Sequence, residues 1–157
     1  MDQVGKEQNA MTPTLSGRIQ SRFVLLLIVG VPLALLLGAV LPRPTTTTTL
    51  SDMYEVFFAA LVLVGVVGVI WELIYHGLQQ FRWEKDWPTI FGLVTGIPEG
   101  IVVYLLLDGG LPWEFGDVPI SLFLQMFIPV WIAIWLIANG PLQIFFPRWR
   151  YQGGRFI

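Results

Sequence analysis

An apolar run of 18 residues, at positions 90–107, carries one carboxylate near its middle. The run reads IFGLVTGIPEGIVVYLLL, and the carboxylate belongs to Glu99. Eighteen apolar residues are enough to cross the hydrocarbon core of a bilayer as a helix. An ionisable side chain at that depth costs roughly 3 kcal/mol on insertion scales. The run therefore predicts a transmembrane helix that keeps its carboxylate for a specific reason.

Three further runs have the length and apolarity of a membrane span. We predict an all-α polytopic membrane protein with four transmembrane helices, at about residues 23–41, 53–76, 89–107 and 120–138. Charged residues make up 13% of the chain, whereas soluble domains carry about 25%. Four spans use most of the 157 residues, so a soluble catalytic domain does not fit beside them.

The predicted spans divide the chain into three regions. Residues 1–17 are polar and aperiodic and are expected to form a flexible tail, and residues 147–157 form a basic tail. Residues 18–146 form the transmembrane domain. Asp52, followed three residues later by Glu55, resembles a capping box that starts the second helix. Prolines near mid-span are expected to bend three of the helices, at positions 32, 98 and 129. Asn139, Gly140 and Pro141 form a stop signal for the fourth helix.

Basic residues are distributed unevenly between the two sides of the predicted bundle. Eight lie on the side of the termini, namely Lys6, Arg18, Arg22, Arg82, Lys85, Arg148, Arg150 and Arg155. The opposite side has only Arg43. Loops rich in lysine and arginine stay in the cytoplasm. We therefore predict a multi-pass protein of the plasma (inner) membrane with both termini cytoplasmic.

The composition excludes several kinds of site. The chain has no cysteine and one histidine, His76, which excludes disulfides, thiolate metal sites and any metal site that needs two histidines from one chain. Its nine lysine and arginine residues are too scattered to form a nucleic-acid-binding face. We expect no metal, no cofactor and no catalytic activity.

Two interpretations of Glu99 remain open. It is a proton- or cation-binding group in a transport path, with the hydroxyl of Thr95 four residues earlier on the same helix face. Alternatively, it is a neutral carboxylic acid that hydrogen-bonds across helices, to Gln125 or to a partner subunit. Both interpretations place the side chain at a helix contact rather than in lipid.

Small residues recur every four positions on two of the predicted spans. Such stripes let helix backbones approach closely, within a bundle or between subunits. The predicted packing residues are Gly30, Ala34 and Gly38 on the first span, and Gly92, Gly96 and Gly100 on the third.

Two groups of polar residues are predicted near the cytoplasmic surface. Glu72 and His76, four apart on one helix face, are interpreted as an interfacial polar pair, with Arg82 as a further partner, or as half of a metal site. The segment Arg148–Trp149–Arg150 is suited to contact anionic lipid or an acidic partner. The alternative is that its positive charges only hold the end of the chain on the cytoplasmic side of the membrane.

The two halves of the chain share short similarities. Gly30-Val31-Pro32 matches Gly96-Ile97-Pro98 at an offset of 66 residues, and LQQF after the second span matches LQIF after the fourth at an offset of 64. The spans would then form two tandem helical hairpins related by a parallel internal repeat. Coincidence among common membrane residues is the alternative.

These observations predict two functions. The first is a small non-catalytic membrane subunit that anchors or stabilises a larger membrane assembly, in contact with lipids and with other subunits or copies of itself. The alternative is a homo-oligomeric transporter or channel, coupled to protons or cations through Glu99.

Overall fold

The computed structural model describes residues 14–45, 48–80, 89–111 and 117–146. All regular structure in these ranges is helical, and four helical segments are long and apolar enough to cross a membrane. This confirms the predicted all-α fold with four candidate spans. The basic tail at residues 147–157 lies outside the described residues.

The first span contains three consecutive helical elements. They are the helix α1 (Leu15–Leu25), a π-helical turn (Leu26–Gly30) and the helix α2 (Val31–Val40). The π turn ends two residues before Pro32, which has no backbone N–H to donate.

The first helix begins earlier than the sequence predicted. Thr14 caps it, because its hydroxyl accepts a hydrogen bond from the backbone N–H of Gly17 at 3.2 Å. Residues 15–17, predicted as part of a flexible tail, are therefore helical. As a consequence, Arg18 and Arg22 lie on this helix, four residues apart.

The second span is one helix, α3 (Leu50–Gln80), which is longer at both ends than predicted. Its start is a reciprocal cap between Thr49 and Asp52. The Asp52 carboxylate accepts from the Thr49 N–H at 2.7 Å, and the Thr49 hydroxyl accepts from the Asp52 N–H at 3.2 Å. The predicted capping box of Asp52 with Glu55 was wrong by one turn, because Thr49 provides the capping hydroxyl.

The third span is divided at Thr95 into α4 (Thr89–Val94) and α5 (Gly96–Asp108). The sequence predicted one continuous helix. Pro98 cannot donate to the carbonyl of Val94, so the regular ladder is interrupted one turn before the proline. At its other end, α5 closes in a Schellman motif, in which Gly110 has a φ of 83° and Leu111 N–H donates to the Leu106 carbonyl at 2.9 Å.

The fourth span consists of α6 (Ile120–Asn139) and the short α7 (Pro141–Phe145). Gly140 separates them, at the position where the sequence predicted a stop signal. Pro129 lies inside α6, and the helix continues through it.

The second span is the centre of the bundle. It contacts all three other spans, and half of its most apolar window is buried, compared with 28% in each of the others. The largest fully buried side chains come from the second, third and fourth spans, and they are Met53, Phe57, Glu99, Val103, Leu107, Phe123 and Met126. One charged residue therefore shares the core with six apolar ones.

The two Gly-X-Pro sequences occupy similar local settings. The π turn ends at Gly30, and the interruption at Thr95 immediately precedes Gly96. Both glycines are buried. The tandem relationship of the two hairpins remains a prediction.

Candidate functional site

Glu99 lies in the first turn of α5 and has only 1% of its surface exposed. The interruption at Thr95 and the small neighbours Gly96 and Gly100 bring this turn close to the adjoining spans. A carboxylate in such a position needs a partner, because burial of an unpaired charge is strongly unfavourable.

The partner is Arg22, on α1 of the first span. Its Nη1 donates to Glu99 Oε1, and its Nη2 lies 3.3 Å from Glu99 Oε2. This is the two-pronged geometry in which a planar guanidinium matches a carboxylate. The pair joins the first span to the third across 77 residues of sequence.

Two more charged residues extend this pair towards the surface. Arg22 Nη2 also donates to Glu72 Oε1 at 3.2 Å, and Arg18 lies 3.7 Å from Glu72 Oε2. Side-chain exposure falls from 19% at Arg18 through 17% at Glu72 and 12% at Arg22 to 1% at Glu99. We call these four residues the ion cluster. Its charges alternate in sign and sum to zero.

A glycine of the second span makes room for the cluster. A Cβ atom added at Gly68 would overlap the guanidinium of Arg22. Glu72 lies one helical turn further along the same face. On one face of the second span, Gly68 thus leaves space for the guanidinium of Arg22, and Glu72 provides a carboxylate that bonds to it.

Neither Gln125 nor Thr95 bonds to the Glu99 carboxylate in the structure, and a hydrogen bond from Glu99 to a partner subunit stays a prediction. Gln125 is exposed on α6, and the carboxylate is bonded to Arg22. The hydroxyl of Thr95 donates to the backbone carbonyl of Gly92 at 3.0 Å, one turn back along its own helix. A threonine in a helical segment readily bonds back to a carbonyl in this way.

The predicted pair of Glu72 and His76 is also replaced by arginine contacts. Within the described ranges, no hydrogen bond or ion pair joins the two residues, and Glu72 instead contacts Arg22 and Arg18. Arg82, predicted as a further partner, and the segment Arg148–Trp149–Arg150 lie outside the described residues. Nowhere in the described part of the chain do three histidine, aspartate or glutamate side chains come together as metal ligands.

Aromatic side chains of the fourth span lie on the glycines of the third span. Added Cβ atoms at Gly96 and Gly100 would overlap the rings of Trp131 and Phe127, respectively. At Gly92, an added Cβ would meet Trp135 at an ordinary contact distance of 3.6 Å. Two of these rings, Phe127 and Trp131, stack with centroids 6.0 Å apart. These contacts lie within the bundle.

Trp131 also bonds to the interrupted segment of the third span. Its indole N–H donates to the backbone carbonyl of Leu93 at 3.1 Å. Helix carbonyls near a proline lose their usual donors, and in a membrane no water replaces them. Trp131 therefore supplies a donor next to the interruption that Pro98 creates.

The small residues of the first span meet the second and fourth spans. Ala34 is fully buried, and the ring of Tyr54 occupies the space beside Gly38. The Tyr54 hydroxyl donates to the carbonyl of Leu35 at 3.0 Å. At Gly30, an added Cβ would lie 3.3 Å from the side chain of Leu61.

Two buried N–H groups have no acceptor in the described part of the chain. They are Nε of Arg22 and Nε1 of Trp71. Trp71 directly precedes Glu72 on α3 and stacks on Tyr75 with centroids 5.7 Å apart.

Comparisons with protein-family models, with characterised proteins and with solved structures give no match to this chain. Its site is therefore interpreted from its own geometry.

Arg22 is a site residue that the sequence indicated only as a charge flanking the first span. One signal was available, because Arg18 and Arg22 are four residues apart and would share a helix face if the first helix began before position 18. The pairing of that face with Glu99 depends on how the spans pack.

Proposed function

We propose that this protein is a non-catalytic integral membrane subunit that anchors or stabilises a larger membrane assembly. The observation that carries the proposal is the pairing of the Glu99 carboxylate with Arg22 inside the bundle. Both of its carboxylate oxygens are within reach of Arg22, whose guanidinium also bonds to Glu72. The hydrogen bonds of the buried charge thereby join three spans to one another.

The outer surface of that bundle supports the proposal. Each span exposes large aliphatic side chains, among them Ile28 at 68%, Val66 at 58%, Ile101 at 57% and Ile128 at 47%. Lipid tails cover such side chains, and so do the apolar faces of helices from other subunits. A bundle with an apolar exterior is suited to binding partners through its surface.

We also propose that the protein lies in the plasma (inner) membrane with both termini in the cytoplasm. The support is the charge distribution of eight basic residues on the terminal side against one on the other. In this orientation the open end of the ion cluster, at Arg18, faces the cytoplasm. A reporter that is active only in the cytoplasm, fused after Ile157, should be active.

The subunit proposal is tested by purifying the full chain in a mild detergent and measuring the mass and composition of the particle. We expect other membrane proteins at a fixed stoichiometry. The Glu99→Gln variant should keep the same partners, because its role is within the bundle. A particle that contains only this chain, at any oligomeric state, would contradict the proposal.

One observation favours a second function, a transporter or channel coupled to protons or cations. The ion cluster leads inward from Arg18 to Glu99, and Arg22 Nε beside it has no acceptor among the described residues. A water molecule there would connect the buried carboxylate to the surface, as proton or cation exchange requires.

The second function is tested in proteoliposomes that contain the purified chain alone. A pH gradient should then drive a flux of protons or cations, and Glu99→Gln should abolish it while the bundle stays folded. Arg43→Gln, which is exposed and lies outside the ion cluster, serves as the control for the loss of one charge, and its flux should equal that of the parent. Flux that is unaltered in Glu99→Gln would remove this candidate.

A further inference from the structure

The third span depends on its neighbours more than the other spans do. Among the four candidate spans, its best window has the lowest mean hydropathy. It contains the buried Glu99, and its helix is interrupted at Thr95. Each of these features is unfavourable in hydrocarbon. Arg22 pairs with the carboxylate, and Trp131 donates to a carbonyl beside the interruption.

We propose that the third span crosses the membrane stably only when Arg22 of the first span is available as the counter-ion of Glu99. The first span thereby acts as an internal insertion partner for the third. The proposal concerns how this chain reaches its topology. It holds whether the finished bundle is a subunit or a transporter.

The geometry singles out Arg22 among the basic residues described. Among the described residues, the side chain of Arg18 forms an ion pair with Glu72 alone, at 3.7 Å and with 19% of the side chain exposed, so it does not reach Glu99. The guanidinium of Arg22 lies in the gap at Gly68 and bonds to both carboxylates. The first span precedes the third in the chain and is the most apolar of the four. The first span is therefore able to enter the membrane first, so that Arg22 is in place to pair with Glu99 when the third span enters.

The size of the expected effect follows from insertion energetics. An unpaired charge near the centre of a span shifts the equilibrium between the crossed and uncrossed states by about 100-fold, which is about 2.7 kcal/mol at 1.36 kcal/mol per tenfold change. A shift of this size is enough to leave a marginal span uncrossed in many molecules.

The experiment uses the absence of cysteine from the chain. Asp117→Cys, after the third span, and Thr45→Cys, between the first two, each introduce one thiol at an exposed position. Sealed vesicles containing the full chain are labelled from one side with a membrane-impermeant maleimide. In the four-span topology both thiols lie on the same side. If the third span fails to cross, the thiol at position 117 alone changes side.

We expect Arg22→Gln to move the label at position 117 to the opposite side in a large fraction of molecules, while the label at position 45 stays in place. The double variant Arg22→Gln/Glu99→Gln should restore the parent pattern, because it removes the carboxylate that lacks a partner. Arg18→Gln is the matched control for loss of one arginine from the same helix, and it should label like the parent.

Three outcomes would overturn the proposal. The first is an unchanged pattern in Arg22→Gln. The second is movement of both labels together, since Arg22 would then act only as an orienting charge on the first span. The third is a defect at position 117 that Glu99→Gln does not repair, since Arg22 would then be needed for something other than the carboxylate.

Discussion

The guanidinium of Arg22 fills the space that a Cβ atom on Gly68 would occupy. This contact places a cation of the first span against the backbone of the second. From there it bonds to Glu72 of the second span and to Glu99 of the third. The absence of a side chain at position 68 is therefore a condition for joining the three spans through charge.

Gly68→Ala should destabilise the bundle, although alanine favours helices by about 1 kcal/mol over glycine. The guanidinium is able to move away from the new methyl group, but only by leaving its carboxylates, so we expect a net loss of about 2 kcal/mol. The free energy of unfolding in mixed detergent micelles measures the effect. Gly65→Ala is the matched control, because its Cβ would meet Phe23 at 3.4 Å, an ordinary contact. Equal stability of the two variants would contradict the assigned role of Gly68.

Gly96→Ala should be less stable than Gly92→Ala by about 2 kcal/mol, since overpacking a tight contact costs about 1–3 kcal/mol. The two glycines are four residues apart and both face tryptophans of the fourth span. An added methyl at position 96 overlaps the Trp131 indole, whereas one at position 92 lies 3.6 Å from Trp135. The same unfolding measurement compares them. If Gly92→Ala were the more damaging variant, the packing of α6 on the third span would differ from the structure.

The four members of the ion cluster should differ in their contribution to stability. Arg22→Gln leaves two carboxylates without their main partner, and we expect a loss of about 3 kcal/mol. Glu99→Gln should lower the free energy of unfolding by less than this, because Arg22 keeps its bond to Glu72. Glu72→Gln should lower it by a still smaller amount. Arg18→Gln should lie within about 0.5 kcal/mol of the parent, as for exposed ion pairs in general. Unfolding free energies of the four variants check this order, and a large effect of Arg18→Gln would be inconsistent with it.

Trp131→Phe should lower the free energy of unfolding by more than Trp71→Phe does, although the chemical change is the same. Trp131 loses a hydrogen bond of 3.1 Å to the Leu93 carbonyl, which leaves that carbonyl without this donor inside the membrane. We expect about 1 kcal/mol for the bond in addition to the loss of ring volume common to both variants. The Nε1 of Trp71 has no acceptor in the described ranges. Equal losses of unfolding free energy would show that Trp71 also donates, for example to a bound water.

The fold class was available from the sequence because it depends on local properties. Apolar runs of about 20 residues have few structures open to them in a bilayer, since every backbone polar group must be bonded internally. Local signals also located Asn139–Gly140–Pro141, where α6 ends. The errors at the other ends have local causes, because Thr14 and Thr49 cap helices nine and four residues before the predicted spans at 23–41 and 53–76 begin.

The site was only half available from the sequence. Glu99 was identified because a lone carboxylate in an apolar run is conspicuous, and the glycines because they recur every four residues. Arg22 was not identified, since a basic residue before a span is explained equally well as a charge that sets the orientation of the span in the membrane. Its approach to Glu99 depends on a helix that begins at Leu15 and on a gap at Gly68 in a third element.

The sequence by itself determined that this chain forms four apolar helices and that one of them contains a carboxylate in need of a partner. Periodicity and transfer free energy act on each segment separately, so they are visible in a single sequence. Only the tertiary structure decided which residue pairs with that carboxylate. Residues 22, 68, 72 and 99 come together because three helices pack in one particular register, and that register is set by side-chain fit between segments distant in the chain.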